Sequence, residues 1–308
     1  MQIFSTISDL TKTYPNIVVA LGTFDGVHIG HQNIIKQAID LAKSINGTSV
    51  VFSFSNHPLG IIAPARCPLR IADNEYKAQM LEELGVDVLM NIAFTPDFLK
   101  LSPNEFLELL KENLDPKYIV VGPNYSFGYG GKGNPEFLVR KGNEFGFISE
   151  IRPAVCVGNK IASSTRIRRL IALGEIEEAN YLLGKRFKIT GTVGHGDQRG
   201  RSLGFPTANF EIELGRAIPN NGVYAVYAYV HNRQFTAIAN IGTNPTFNGE
   251  KRHIEIHIFD FDQDIYNEKI TIEFIKKIRN QQVFPSAEAL VAQIKLDVKA
   301  AIAIFKAL

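Results

Sequence analysis

The stretch that most constrains the fold is Gly22-Thr23-Phe24-Asp25-Gly26-Val27-His28-Ile29-Gly30-His31. An apolar run, Ile17-Val18-Val19-Ala20-Leu21, leads into it and reads as a buried strand. Two glycines then permit a tight turn with little side-chain obstruction. Beyond His31 the apolar positions Ile34, Ile35, Ala38, Ile39, Leu41 and Ala42 follow helical spacing. A strand, a glycine turn and a helix N-terminus therefore meet here. Such a junction presents unpaired backbone N–H groups and the positive end of a helix dipole, which suits phosphate. His28 and His31 fall on one face of the opening turn, where their imidazole N–H groups can meet a triphosphate. Gly30 is expected to leave room for a base or ribose. A metal site with Asp25 as third ligand is disfavoured, because no further Cys or His stands nearby to complete a zinc set.

The next strand, Thr48 to Phe54, delivers Asn56-His57-Pro58 to a loop at its carboxyl end. Open parallel sheets bind ligands at that edge, so His57 shares a rim with His28 and His31. Asp73 to Leu84 reads as a helix and Val86 to Ile92 as a strand. Ser102-Pro103-Asn104-Glu105 is a capping box that starts another helix. Tyr118 to Val121 is a strand, Asn134-Pro135 opens a helix, and Ile148 to Val157 is expected to be the last strand. Alternating strands and helices give an α/β domain, a parallel sheet with helices on both faces. A helix opens at Ser163-Ser164-Thr165-Arg166, where the Arg166 guanidinium can fork onto phosphate oxygens.

Near residue 184 the pattern changes. Phe187–Val193, Gly222–Val230, Gln234–Ile241, His253–Phe259 and Lys269–Ile278 read as strands with little helix between them. They predict a second, mostly antiparallel domain, a small β-barrel. Ser286 to Leu308 closes the chain as a C-terminal helix, with an apolar stripe of Leu290, Ile294, Val298, Ile302 and Phe305 facing the barrel. The expected domains are residues 1–183 and 184–308. Gly191 to Asn209 is a glycine-rich run suited to a phosphate-wrapping flap, but it lacks the G-K-[ST] of a Walker A loop. In His253-Ile254-Glu255-Ile256-His257-Ile258 the isoleucines share one face, while Glu255 and His257 share the other. A carboxylate placed so can deprotonate a hydroxyl.

A net charge of +2 gives no reason to expect nucleic acid, and the apolar runs are too short to span a bilayer. The two cysteines, Cys67 and Cys156, fit a cytoplasmic protein without a disulfide framework. A monomer or weak homo-oligomer is expected, with small-molecule partners and no membrane.

The Gly22–His31 run resembles the adenylyltransferase motif of bacterial bifunctional riboflavin kinase/FAD synthetases. Gly204-Phe205-Pro206-Thr207-Ala208-Asn209 resembles their riboflavin kinase motif. Val121-Gly122-Pro123-Asn124-Tyr125-Ser126-Phe127-Gly128, Ser163 to Arg168 and Glu255-Ile256-His257-Ile258 also match family segments. The resemblance implies a Rossmann-like nucleotidyltransferase domain followed by a riboflavin kinase barrel. It implies the substrates ATP, riboflavin and FMN, with Mg2+ held by Thr207 and Asn209. It further implies Glu255 as base for FMN formation, and His28, His31 and Arg166 as catalytic groups for FAD formation. Gly22, Phe24, Asp25, Gly30, His57, Asn124, Ser164 and Thr165 would contact nucleotide in the first domain. Gly191, Gly196, Arg199, Pro206, Thr207 and Asn209 would do so in the second. Phe54, Pro58, Tyr125, Phe127, Tyr224 and Arg279 would contact flavin, although Phe127 reads equally well as core. Asn267 stands where the family carries glycine, and an Asn there can keep the left-handed turn. Two other readings compete: an FAD synthase whose barrel only binds flavin, and a non-catalytic flavin- or RNA-binding regulator.

Overall fold

The computed structural model describes residues 1–10, 14–195, 205–246 and 249–308. The chain divides into two compact units, Met1–Ser164 and Thr165–Leu308.

The first unit is a six-stranded parallel sheet of β1 (Gln2–Phe4), β2 (Val18–Leu21), β3 (Ser49–Phe54), β4 (Val88–Ile92), β5 (Tyr118–Val121) and β6 (Ile148–Ile151). The spatial order is β1-β4-β3-β2-β5-β6. Alternate residues of the central strands face opposite cores. Val19, Leu21, Phe52, Met90 and Val121 pack with Phe106, Leu107, Leu110 and Leu138, from α5 (Pro103–Leu114) and α6 (Pro135–Phe145). Val18, Ala20, Val51, Leu89 and Val120 pack with Ile35, Ala38, Ile39, Met80 and Leu81, from α1 (Ile29–Ser44) and α3 (Asn74–Glu83). Helices thus cover both faces, as the alternation of elements predicts. Two single-turn helices, α2 (Leu59–Ile62) and α4 (Pro96–Lys100), lie in the loops between. The capping box at Ser102 forms, with Glu105 N–H donating to Ser102 Oγ and Ser102 N–H donating to Glu105 Oε2. The neighbours of β2 are β3 and β5, one on each side. The chain leaves β2 toward β3 and leaves β5 toward β6, so the crevice between the carboxyl ends of β2 and β5 is the natural ligand site.

Two expectations change. The strand expected over Ile148 to Val157 stops at Ile151. Arg152 N–H still donates to the Val121 carbonyl, but Pro153 has no N–H with which to continue the ladder. The chain then folds into a hairpin of β7 (Cys156–Val157) and β8 (Lys160–Ile161). The edge strand β1, too short to show a period, was not foreseen.

The second unit begins with α7 (Ser164–Leu173) and α8 (Ile176–Leu183). A closed antiparallel barrel follows, in the order β10-β13-β12-β11-β14-β9. Its strands are β9 (Lys188–Gly194), β10 (Ala208–Ile212), β11 (Gly222–Val230), β12 (Arg233–Thr246), β13 (Gly249–Ile258) and β14 (Lys269–Asn280). The helix-to-strand change expected near residue 184 falls between α8 and β9. The division into compact units falls earlier because α8 packs on β14. There Asn180 donates to the Phe274 carbonyl and accepts from Phe187 N–H, and Glu177 pairs with Lys276. The last helix, α9 (Ala287–Lys306), covers Val223, Ala225, Ile238 and Ile275 on the barrel's outer surface with Ala301, Val298, Ile304 and Phe305. Ile302 of the expected stripe is exposed, and Asp297 is buried in the interface instead.

Candidate active sites

The first site lies at the carboxyl ends of β2 and β3. His28 is the N-cap of α1, and its Nδ1 accepts from Gly30 N–H at 3.1 Å and His31 N–H at 3.4 Å. An imidazole nitrogen that accepts carries no proton, so in the neutral ring the proton sits on Nε2. His57 repeats the device: its Nδ1 accepts from Leu59 N–H at 3.1 Å. Each neutral ring therefore carries its proton on Nε2. The His31 ring stacks on His28 at 3.6 Å and meets the Phe24 ring edge-on at 5.3 Å.

Several residues of the motif shape this arrangement. A side chain at Gly22 would collide with the Phe24 ring at 2.8 Å. At Gly30 it would meet His28 Cε1 at 3.0 Å, so the space expected for a base or ribose is taken by the His28 ring. Phe24 is buried, with φ of 48°, and serves as a floor for His31 rather than an exposed contact. The Asp25 carboxylate accepts from Ile71 and Ala72 N–H at 3.0–3.1 Å, which ties the segment before α3 to the turn. Ser164 Oγ, at the end of the first unit, donates to the Asp25 carbonyl of the same turn at 3.1 Å.

Around the rim, Asn56 Nδ2 donates to the Phe94 carbonyl at 2.9 Å, and Phe94 N–H donates back to Asn56 Oδ1 at 2.7 Å. This pins the His57-Pro58 loop. Phe54 sits half-buried among Phe52, Phe94 and Phe98. Asn124 is exposed and Tyr125 half-buried. Burial pushes the Tyr125 phenol well above its usual pKa. Phe127 is 7% exposed and packs against Phe106, Phe137 and the stacked Tyr125 ring. It is part of the hydrophobic core of the first unit. Thr165 is exposed, and Arg166 forms an ion pair with Glu178 of α8.

One residue with no sequence signal stands out. Lys77, at a position of α3 that could have been solvated, is 4% exposed. Its ammonium donates to the Phe54 carbonyl, Asn91 Oδ1 and Ser53 Oγ at 2.7, 2.9 and 3.2 Å.

The second site is on the barrel. Strand register sets Asn209 of β10 directly opposite Glu255 of β13, and Glu255 directly opposite Asn240 of β12. Asn240 was not foreseen, since only pairing brings it to Glu255. Ile254, Ile256 and Ile258 point into the barrel, leaving Glu255 and His257 on the outer face as the alternation predicts. His257 Nδ1–H donates to the Pro206 carbonyl at 2.8 Å and anchors the Pro206-Thr207 turn. A cavity of about 350 Å³ adjoins it, lined by Pro206, Thr207, Asp262, Asp264, Ile265 and Tyr266 among others. The His195 ring stacks on Tyr266 at 4.3 Å. Asn267 has φ of 62°, so the left-handed turn survives without glycine.

Three of the expected contact residues have close packing or hydrogen-bond partners within the barrel unit. Gly191 is a strand residue whose Cβ would lie 2.2 Å from the Glu211 carbonyl, so β9 and β10 approach there too closely for any side chain. Tyr224 is fully buried, its hydroxyl donating to the Asn220 carbonyl at 2.6 Å. Burial raises its phenol pKa. Arg279 is held by both Asp297 oxygens at 2.8–3.1 Å and locks α9 to the barrel. Gly196 and Arg199 lie outside the described residues. Among the described residues no group of three or more His, Cys, Asp or Glu side chains could hold a metal ion.

Comparison with known proteins finds two families along the chain. Residues 10–166 match the FAD synthetase family and residues 183–305 the riboflavin kinase family. A protein of Listeria monocytogenes named bifunctional riboflavin kinase/FMN adenylyltransferase is 38% identical, covering 92% of this chain and 90% of that protein. Proteins of the same name from Haemophilus influenzae and Escherichia coli K12 are each 36% identical, covering 99% and 96% of this chain and equal shares of their own. A solved structure from Streptococcus pneumoniae, titled a macrolide-efflux protein, superposes with a TM-score of 0.87 at 33% identity over 97% of both chains. Among the described residues no helix is long and apolar enough to cross a membrane.

Proposed function

The chain belongs to the bifunctional riboflavin kinase/FMN adenylyltransferase family, and from that premise we propose which residues carry each reaction. The enzyme phosphorylates riboflavin with ATP to FMN, then adenylylates FMN with a second ATP to FAD, releasing pyrophosphate.

We assign FMN formation to residues 184–308. Glu255 takes the proton of the riboflavin 5′-hydroxyl as that oxygen bonds to the γ-phosphorus; the γ-phosphorus bond to the bridging oxygen breaks and ADP leaves. Asn209 lies beside this carboxylate in register, and Thr207 faces the adjoining cavity. Both offer hard neutral oxygens, a hydroxyl and an amide carbonyl, which fit Mg2+ by donor type. An ion bound there would offset charge on the ATP phosphates.

We assign FAD formation to residues 1–183. An oxygen of the FMN phosphate attacks the α-phosphorus of ATP, and the bond to the β-phosphate oxygen breaks. The attacking group is already ionised, so the work is alignment and charge stabilisation rather than proton removal. His28 and His57 supply Nε2–H donors, and His31 is held against His28 by stacking. Arg166, a guanidinium in the first turn of α7, takes the leaving pyrophosphate. Asn124 meets ribose or base, while Phe54, Pro58 and Tyr125 form the flavin rim. The protein acts in the cytoplasm on small molecules, as a monomer or weak homo-oligomer.

The observation that carries this reading is the pairing of each imidazole Nδ1 with backbone N–H. It fixes the proton of each neutral ring on Nε2, at the carboxyl edge where a sheet of this topology binds its ligand. Incubation with riboflavin, ATP and Mg2+, with flavins resolved over time, is expected to show FMN followed by FAD. FAD from added FMN alone would mean that the barrel only binds flavin. No turnover would mean a regulator.

A further inference from the structure

Lys77 is a buried ammonium that neither reaction uses directly. Its three acceptors lie at the carboxyl end of β3 (Ser53, Phe54) and on β4 (Asn91). Ser53 extends the contact, its hydroxyl donating to the Thr23 carbonyl at 2.9 Å, at the start of the turn that carries His28. From the same helix, Asn74 Nδ2 donates to the Ser55 carbonyl at 2.8 Å. α3 therefore holds both the turn after β2 and the loop that leads to His57. The groups touching the ammonium from β3 and β4 are all neutral. The charged groups that act on it are Asp25, in the turn after β2, and Arg70, in the segment before α3. Asp25 favours the ammonium and Arg70 opposes it, while burial outweighs both and pushes Lys77 down to about 8 from 10.5.

We propose that Lys77 is a positioning residue for adenylyl transfer, its three N–H donors latching the carboxyl ends of β2, β3 and β4 so that the His28 turn and the His57 loop keep their spacing. The proposal rests on the assignment of FAD formation to this site. A buried charge among neutral partners is unfavourable unless its hydrogen bonds are all made, and here three acceptors match three donors. A neutral amine has two N–H bonds and a lone pair. Once the proton leaves, one of the three acceptors faces that lone pair and the latch loosens. Adenylyl transfer therefore needs the charged form, whereas the barrel reaction does not involve Lys77.

The test is the rate of FAD formation from FMN and ATP between about pH 7 and pH 10, with kcat and KM taken separately, for wild type, Lys77→Met and Lys77→Arg. FMN formation from riboflavin in the same samples reports folding. The wild-type kcat is expected to fall above about pH 8. Lys77→Met is expected to lower kcat by on the order of 10- to 100-fold, the cost of small misplacement, with FMN formation unchanged. Lys77→Arg keeps a permanent charge, so it should recover part of kcat and lose the alkaline fall. Wild-type kcat in Lys77→Met, a flat wild-type profile, or an alkaline fall retained by Lys77→Arg would each overturn the proposal. If Lys77→Met loses FMN formation as well, Ser53→Ala takes its place, since it removes one acceptor and the link to Thr23. Ser53→Ala is expected to lower kcat for FAD alone, and an unchanged kcat counts against the latch. A wild type that makes no FAD from FMN at any pH would sink the site assignment and this proposal with it, whereas FAD formed with a flat profile sinks only the latch.

Discussion

At the scale of single residues, one histidine has two separable jobs. His28 Nδ1 closes the first turn of α1, and its Nε2–H is the group assigned to phosphate. Asparagine is a good N-cap, but its amide N–H groups sit on a shorter arm than the imidazole Nε2, whereas alanine has neither cap nor donor. His28→Ala is expected to lose about 1 kcal/mol of stability together with FAD formation. His28→Asn is expected to lose FAD formation while keeping most of that stability. Thermal melts beside FAD assays check this, and an active His28→Asn would move the donor role elsewhere. Lys77 makes a second prediction. Its pKa is lower in the folded chain than in the unfolded one, so the unfolded state binds more protons between about pH 8 and 10.5. Stability should therefore gain from Lys77 as pH rises through that window, by on the order of 1–3 kcal/mol. Denaturant melts of wild type against Lys77→Arg would show the gain in the first and not in the second. Equal pH slopes would contradict it. Adenylyl transfer and stability would then move in opposite directions over the same window.

At the scale of elements, the join of α9 to the barrel rests on a buried ion pair. Asp297 is almost fully buried and both its oxygens accept from Arg279. Removing one partner leaves an uncompensated charge, so Asp297→Ala should cost about 3 kcal/mol in a denaturant titration. A loss below about 0.5 kcal/mol would show that the pair contributes little. This pair also illustrates what sequence can carry. Periodicity located α9 and its apolar face, but it could not place Asp297 inside, because the reason lies on β14. The strand-turn-helix around His28 was legible because glycines, a strand and a helical stripe coincide in a short stretch. The same holds for the capping box at Ser102 and the left-handed Asn267. Phe127 and Tyr224 were legible as aromatic, but whether they face ligand or core depends on residues far away in sequence. Lys77 and Asn240 gave no local signal, since only strand pairing and helix packing bring them to their partners.

At the scale of the whole molecule, the claim is that two ATP-dependent reactions occupy separate parts of one chain. The parallel sheet offers histidine donors at a helix N-terminus, while the barrel offers a carboxylate beside neutral oxygen ligands. These chemistries match their reactions: adenylyl transfer starts from an ionised phosphate, whereas phosphorylation starts from a hydroxyl that must lose a proton. The most direct measurement is FAD formation by purified Glu255→Gln protein, supplied first with riboflavin and then with FMN. The account predicts FMN formation reduced by on the order of 10²–10⁴-fold, with FAD formation from supplied FMN at the wild-type rate. FMN formation at the wild-type rate, or loss of FAD formation from FMN in a folded protein, would contradict it.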